Sequence, residues 1–219
     1  MVPETISRLV ACDAQPVTGC GRAGLLGAFR LRDNEGPVEV SSTAQRVVAF
    51  LALQAQPVRR THLAGMLWPE ASDQRAGASL RSALWKLRRP GGDLVVSSPT
   101  HLALAPQIEV DVHTLCATAH RIGDLDPREA GPDLIQSFQY ELLPGWYDDW
   151  VILWQERWRQ VRLHALEDLS AALVAAGRFL AAAEAAMAAV QAEPLRDASN
   201  RALMRVHLAE GNTAEALRQ

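Results

Sequence analysis

No apolar run in these 219 residues approaches the roughly 20 that a membrane-spanning helix needs. The first 24 residues, "MVPETISRLVACDAQPVTGCGRAG", also lack the continuous apolar core of a secretion signal, so the reading is of a cytoplasmic protein with no membrane contact. Cysteine is scarce. Cys12, Cys20 and Cys116 form an odd set with no CxxC spacing, which argues against a disulfide framework or a thiolate metal site and for free thiols. Catalytic signatures are missing as well: there is no GxxxxGK[ST] phosphate loop, no HExxH pair and no GxSxG elbow. His62, His101, His113, His120, His164 and His207 share no ligand spacing, and the neighbouring carboxylates Asp148 and Asp149 suit a helix start better than a metal. The expectation is a protein that is not an enzyme, holds no metal and uses no cofactor.

What is present is an ordinary folded composition, 48% apolar and 21% charged, in a chain long enough for one large domain or two small ones. A net charge of −3 conceals an asymmetry. Residues 1–105 hold 12 Arg/Lys against 8 Asp/Glu, whereas residues 106–219 hold 10 against 17. Within the first part, residues 59–89 carry seven cations (Arg59, Arg60, Arg75, Arg81, Lys86, Arg88 and Arg89) against Glu70 and Asp73. Such local density points to a polyanionic partner.

Periodicity shows which elements carry those charges. "LLGAFRL" alternates Leu25, Gly27, Phe29 and Leu31 on one face, "DNEGP" supplies turn residues and "VEVS" resumes the alternation, which predicts a short antiparallel sheet. Ser42 with Gln45 reads as a capping box, followed by Ala44, Val47, Val48, Leu51 and Ala55 at helical spacing, with Pro57 beyond the end. Thr61 can cap a short second helix whose Leu63, Met66 and Leu67 form an apolar side and which Pro69 stops. A third helix starts at Ser72. At 100° per residue Ala76, Leu80, Ala83, Leu84 and Leu87 fall in one sector, with Arg75, Ser79, Ser82, Lys86 and Arg89 opposite and Arg81 and Arg88 on a flank. "LVVSS" and "HLALA" around "PT" then predict a hairpin with His101 near its tip.

Strands, helix, helix, basic helix, hairpin is the order of a winged helix-turn-helix, whose third helix enters the major groove. Arginine there can bind guanine bidentately or grip phosphate, serine can donate to either, and lysine acts mainly as a point charge. A solvated cationic face on a helical protein is the competing reading of the helix alone; the capped three-helix order and the hairpin weigh against it. Trp85 projects toward the presented side, where it either stacks on sugar-phosphate or packs on a neighbouring domain or subunit.

From about residue 110 the chain turns to long alanine-rich helical runs, with Trp146, Trp150, Trp154 and Trp158 four apart as an aromatic stripe that reads as core. Gly177 and Gly211 stand 34 residues apart, Ala181–Ala183 fall on Glu215–Leu217 in the same register, and Pro194 closes the helix between. A 34-residue helix-turn-helix period is the tetratricopeptide signature, a scaffold for protein contacts. The chain ends inside the next helix with no stop signal, which reads as a truncated domain.

"LLGAFRL…TAQRVVAFLAL…RRTHLAGMLWPEASDQRAGASLRSALWKLRR", followed by "VDVHTL" and "LLPGWYDDWVILWQERWRQVRLHALEDLSAALVAAGRFLAAAEAA", resembles the antibiotic regulatory protein family of actinobacteria. The resemblance spans residues 24–219, while residues 1–23 match nothing in the family and read as a disordered arm. It implies a mainly α chain with a small β component: an OmpR-type winged-helix DNA-binding domain over 24–106, then a tetratricopeptide-like bacterial transcriptional activator domain over 107–219. It also implies an activator that binds direct repeats in promoter DNA as a homodimer and recruits RNA polymerase. Arg81, Lys86, Arg88 and Arg89 lie in the matching recognition-helix block and Thr100 and His101 in the wing, so the resemblance places DNA contacts there. Arg75, Ser79 and Ser82 rest on the helical wheel, and Arg59 and Arg60 are expected on phosphate. The alternative function is a protein-interaction adaptor whose winged helix does not read DNA. Trp85 departs from the family, which commonly has a small or polar residue at that place.

Overall fold

The computed structural model describes residues 21–33, 35–88, 94–126 and 128–219. The chain forms two compact units: one runs to Thr114 and includes Leu143–Val151, the other comprises Leu115–Leu142 and Ile152–Gln219. The expected arm lies almost wholly, and the thiols Cys12 and Cys20 wholly, outside the described residues; the Cys116 thiol is buried.

The first unit opens with β1 (Gly21–Gly24), β2 (Arg30–Asp33) and β3 (Gly36–Pro37), joined by β7 (Ile108–Val110) into a sheet of order β3-β2-β1-β7. β1 and β2 pair antiparallel, with Ala23 opposite Leu31, whereas β7 lies parallel to β1. "LLGAFRL" is therefore not one strand. Its Leu25 and Leu26 leave β1 and their N–H groups donate to the Asp111 carboxylate at 2.9–3.0 Å. That carboxylate also accepts from the Val112 N–H at 2.8 Å, so one side chain both ends β1 and starts α4 (Asp111–Ala119). "VEVS" is not a strand either; Val38 alone continues the ladder, donating to Leu31 O at 2.8 Å. Because β7 and Asp111 complete this sheet, the first unit reaches beyond residue 106.

Three helices follow the sheet: α1 (Ser42–Ala52), α2 (Arg60–Leu67) and α3 (Asp73–Leu87), with β4 (Val58–Arg59) between the first two. Ala44, Val47, Val48 and Leu51 are buried as the wheel predicts, but Ala55 lies past the helix end and is exposed. The capping box differs in detail. Ser41 is the N-cap, and the Gln45 side chain reaches back to the Val40 carbonyl at 3.1 Å. Likewise the N-cap of α2 is Arg59, two residues before Thr61, and Met66 is exposed while Leu63 and Leu67 are buried. Ser72 is the N-cap of α3, and Ala76, Leu80, Ala83 and Leu87 are its buried seam. α3 packs on α1 and α2. β5 (Val95–Ser97) and β6 (His101–Leu104) form the expected hairpin, and β4 adds a third strand against β6, with Val58 opposite Leu102.

Segment 143–151 belongs to this unit for identifiable reasons. Leu143 N–H donates to Leu25 O at 2.8 Å, Trp146 stacks on Phe29, and Trp150 lies 5.0 Å from Phe50 between ring centroids. Asp148 pairs with Arg46, whose guanidinium also donates to Leu67 O at 2.9 Å. The predicted aromatic stripe is thus not one surface: Trp146 precedes α6 (Asp149–Ala175), and Trp150 is buried against Phe50.

The second unit is helical: α5 (Pro132–Gln139), α6 from Ile152 onward, α7 (Phe179–Ala192), α8 (Asp197–Glu210) and α9 (Thr213–Arg218). α7 packs on α5 and α8, and α8 on α9. Gly177 and Gly211 both take left-handed φ, 70° and 82°, at the turns that follow α6 and α8, so the 34-residue register marks equivalent helix ends. Ala182 and Ala216, in the same register, are both buried. Trp158 is 3% exposed, stacks on Phe138 and donates its indole N–H to Tyr140 O at 2.9 Å. Arg162, 7% exposed, donates to Gln139 O at 2.9 Å, and burial pushes its guanidinium below the usual value.

Candidate nucleic-acid interface

α3 is amphipathic in a way that leaves one whole side unpacked. Opposite its buried seam, Gln74, Arg75, Ala78, Arg81, Ser82, Trp85 and Lys86 are exposed, and Ser79 is half-buried at the margin. Asp73 sits in the first turn and Lys86 in the last, each on the side of the helix dipole that favours it. A β-carbon on Gly77 would stand 3.6 Å from Arg81 Nη1, so the Arg81 guanidinium lies back along the helix surface over a residue with no side chain. Arg75, Arg81, Ser82, Lys86 and Arg88 are therefore accessible, as expected. Arg88, however, has extended backbone (φ −69°, ψ 131°) and belongs to the exit from α3, not to its face. Arg89 lies outside the described residues.

The wing residues form a second group. Arg59 and His101 are partners across the β4–β6 pairing, with Arg59 exposed. Arg60 is committed locally. Its Nε donates to Ser98 O at 2.9 Å, its Nη2 to Ser97 Oγ, and its backbone N–H to Thr100 O at 2.9 Å. The Ser98 hydroxyl accepts the His101 N–H at 2.9 Å and the Thr100 N–H at 3.3 Å, and Thr100 Oγ1 lies 2.9 Å from His101 Nδ1. Arg60 thus braces the tip from which Thr100 projects, a positioning role that its sequence context as one of a cationic pair did not reveal. Only the long-range pairing of β4 with β6 brings it there.

Gln74, Ala78 and Trp85 share the exposed face; Gln74 and Ala78 were not among the expected contacts, whereas Trp85 projects to the presented side as its place on the wheel implied. On the same wheel Gln74 and Ala78 both fall between Arg81 and Ser82, but neither carries a charge to mark it. Among the described residues no group of three or more His, Cys, Asp or Glu is placed to hold a metal ion. No described helix is long and apolar enough to cross a membrane.

Residues 138–219, which include Leu143–Val151 of the first unit and most of the second, match the bacterial transcriptional activator domain family. They form a bacterial transcriptional activator domain. Among solved structures, the chain is similar to EmbR of Mycobacterium tuberculosis in complex with a low-affinity phosphopeptide, with a TM-score of 0.74 at 20% identity over 90% of this chain. It spans 57% of the length of that structure. No curated protein sequence matches the chain. A winged helix followed by a transcriptional activator domain is the architecture that the resemblance to antibiotic regulatory proteins implied.

Proposed function

We propose that the protein is a sequence-specific, DNA-binding transcriptional activator, not an enzyme, that works in the cytoplasm. It binds direct repeats in promoter double-stranded DNA as a homodimer and recruits RNA polymerase through its activator domain. The observation that carries this reading is the unpacked face of α3, where Arg75, Arg81, Ser82 and Lys86 stand exposed opposite the buried seam. Such a helix in the major groove puts guanidinium forks and hydroxyls at base edges, while cations beside it set register on phosphate. Arg81 and Ser82, with Arg75 and Ser79 nearer the N-terminus, are assigned to bases and adjoining phosphate; Lys86, Arg88, Arg89 and Arg59 to phosphate; Thr100 and His101 to backbone at the wing. Arg60 supports Thr100 and His101 from behind.

Selection of bound sequences from a random duplex pool, with affinity then measured at several salt concentrations, tests the reading. The expected result is an enriched direct repeat spaced near one helical turn, with log K falling against log salt at a slope of about −4 to −5 for about five phosphate contacts. Lys86 is the chain's single lysine, so an amine-reactive label reports on α3 alone among side chains. Bound duplex is expected to protect it. Absence of any enriched motif, with a flat salt response, would leave the adaptor reading in its place.

A further inference from the structure

Trp85 is 72% exposed in the last turns of α3, and its ring has no hydrogen bond and no aromatic or cation contact among the described residues. A single exposed apolar side chain needs no explanation by exposure alone, but this indole stands on the cationic face of α3, where a bound duplex would cover it. The wheel places Trp85 within about 30° of straight away from the buried seam. Its helical neighbours settle what kind of partner fits. Arg81 and Ser82 lie one turn before it and Lys86 beside it, and Arg88 follows where the chain leaves the helix, all exposed. A protein-docking patch gathers apolar residues around such an anchor, whereas this one is ringed by cations and hydroxyls, the surroundings of a groove lined with phosphates.

We infer that Trp85 is a specificity-determining residue of the DNA-reading face, and that its indole packs against the C5-methyl group of a thymine in the major groove. The inference rests on the DNA-binding reading above. Thymine is the base that offers an apolar group in that groove, so an aromatic edge can read it without a hydrogen bond. The rise of 1.5 Å per residue sets Trp85 about 6 Å beyond Arg81 along the helix, which places that thymine one or two base pairs from the one Arg81 reads.

The test uses the full chain and its selected operator. Each thymine in turn is replaced by deoxyuridine, which removes the methyl and nothing else, and binding is compared for wild type, Trp85→Ala and Trp85→Phe. Wild type is expected to lose about fourfold at one thymine per half-site, the worth of one methyl group removed from water. Trp85→Ala binds the intact operator more weakly and is indifferent to that replacement; Trp85→Phe keeps part of the discrimination. Since the side chain is exposed, both variants should melt with wild type. Wild type selecting a motif yet ignoring every deoxyuridine overturns this inference and leaves the DNA-binding reading standing. So does a Trp85→Ala protein that keeps the methyl preference, or one that binds DNA normally but fails to activate transcription, which would mark a protein contact instead. If wild type selects no motif, both readings fall together.

Discussion

Arg60 and Arg81 show how differently two exposed arginines are used. Among the described residues Arg81 has no ion-pair partner, and it presents its fork from a regular helix, so substituting it removes a potential base contact and little else. Arg81→Ala is expected to weaken cognate binding by about 1–3 kcal/mol while leaving random-sequence binding nearly unchanged. Arg59→Ala should weaken both alike, which a filter-binding comparison of the two duplexes distinguishes. Arg60 spends its donors on Ser97 and Ser98. Arg60→Ala should therefore speed amide exchange at Thr100 and His101, whose N–H groups are held by the Ser98 hydroxyl, and Arg59→Ala should not. Unchanged exchange in Arg60→Ala would return Arg60 to the phosphate contacts. The two residues are neighbours in sequence and read alike there; the carbonyl and hydroxyl that separate their roles come from residues almost 40 positions away.

At the scale of elements, the seam of α3 was legible, because Ala76, Leu80, Ala83 and Leu87 recur at a 3.6-residue period; its presented face was legible in part, since Ser79 is half-buried at the margin and Arg88 belongs to the exit from the helix. The strands were less so, since β1, β4 and β7 are only two to four residues long and exist through pairings across most of the first unit. Gly24–Leu25 leaves β1 early because the Asp111 carboxylate accepts both the Leu25 and Leu26 N–H groups, a contact no periodicity encodes. In the second unit the repeat register rests on Gly177 and Gly211. Neither has an atom within 4 Å of where a β-carbon would stand, so replacement meets backbone strain and no clash. Gly177→Ala and Gly211→Ala should each cost about 1–2 kcal/mol, with asparagine at either site less harmful; chemical unfolding measures the difference.

For the molecule as a whole, the carboxylates of the second unit set an expected response to acid. The second unit holds Glu167 half-buried between Arg196 at 2.8 Å and Ser199 Oγ at 2.7 Å. Burial alone would push its carboxyl up, but the hydrogen bonds from Arg196 and Ser199 outweigh that and hold it below the ordinary range. Glu156, bonded by Arg159 and Gln160, is lowered to about 2. A carboxylate lowered on folding adds stability above its unfolded pKa and loses it as pH falls through the folded value. Thermal stability of the second unit is therefore expected to decline below about pH 4.5. Glu167→Gln should be less stable near neutrality by about 1–3 kcal/mol and decline less on acidification. An identical acid response in wild type and Glu167→Gln would remove Glu167 from that account. The charges of the chain are also divided: the cations gather on α3 and beside the wing, whereas residues 106–219 hold 17 Asp/Glu against 10 Arg/Lys.

By itself the sequence determined α1 to α3, the basic side of α3, the wing hairpin, the 34-residue register and the resemblance that joins them. Each of these depends on residues within a turn, a hairpin or a repeat of one another, so the pattern survives in one dimension. Tertiary structure alone decided that Leu143–Val151 returns to the first unit through Leu25, Phe29 and Phe50. It likewise decided that Arg46 is answered by Asp148 and that Arg60 braces the wing. Those are contacts between residues far apart in the chain, made by hydrogen bonds and ring packing that have no period, and only the folded backbone brings their partners within reach.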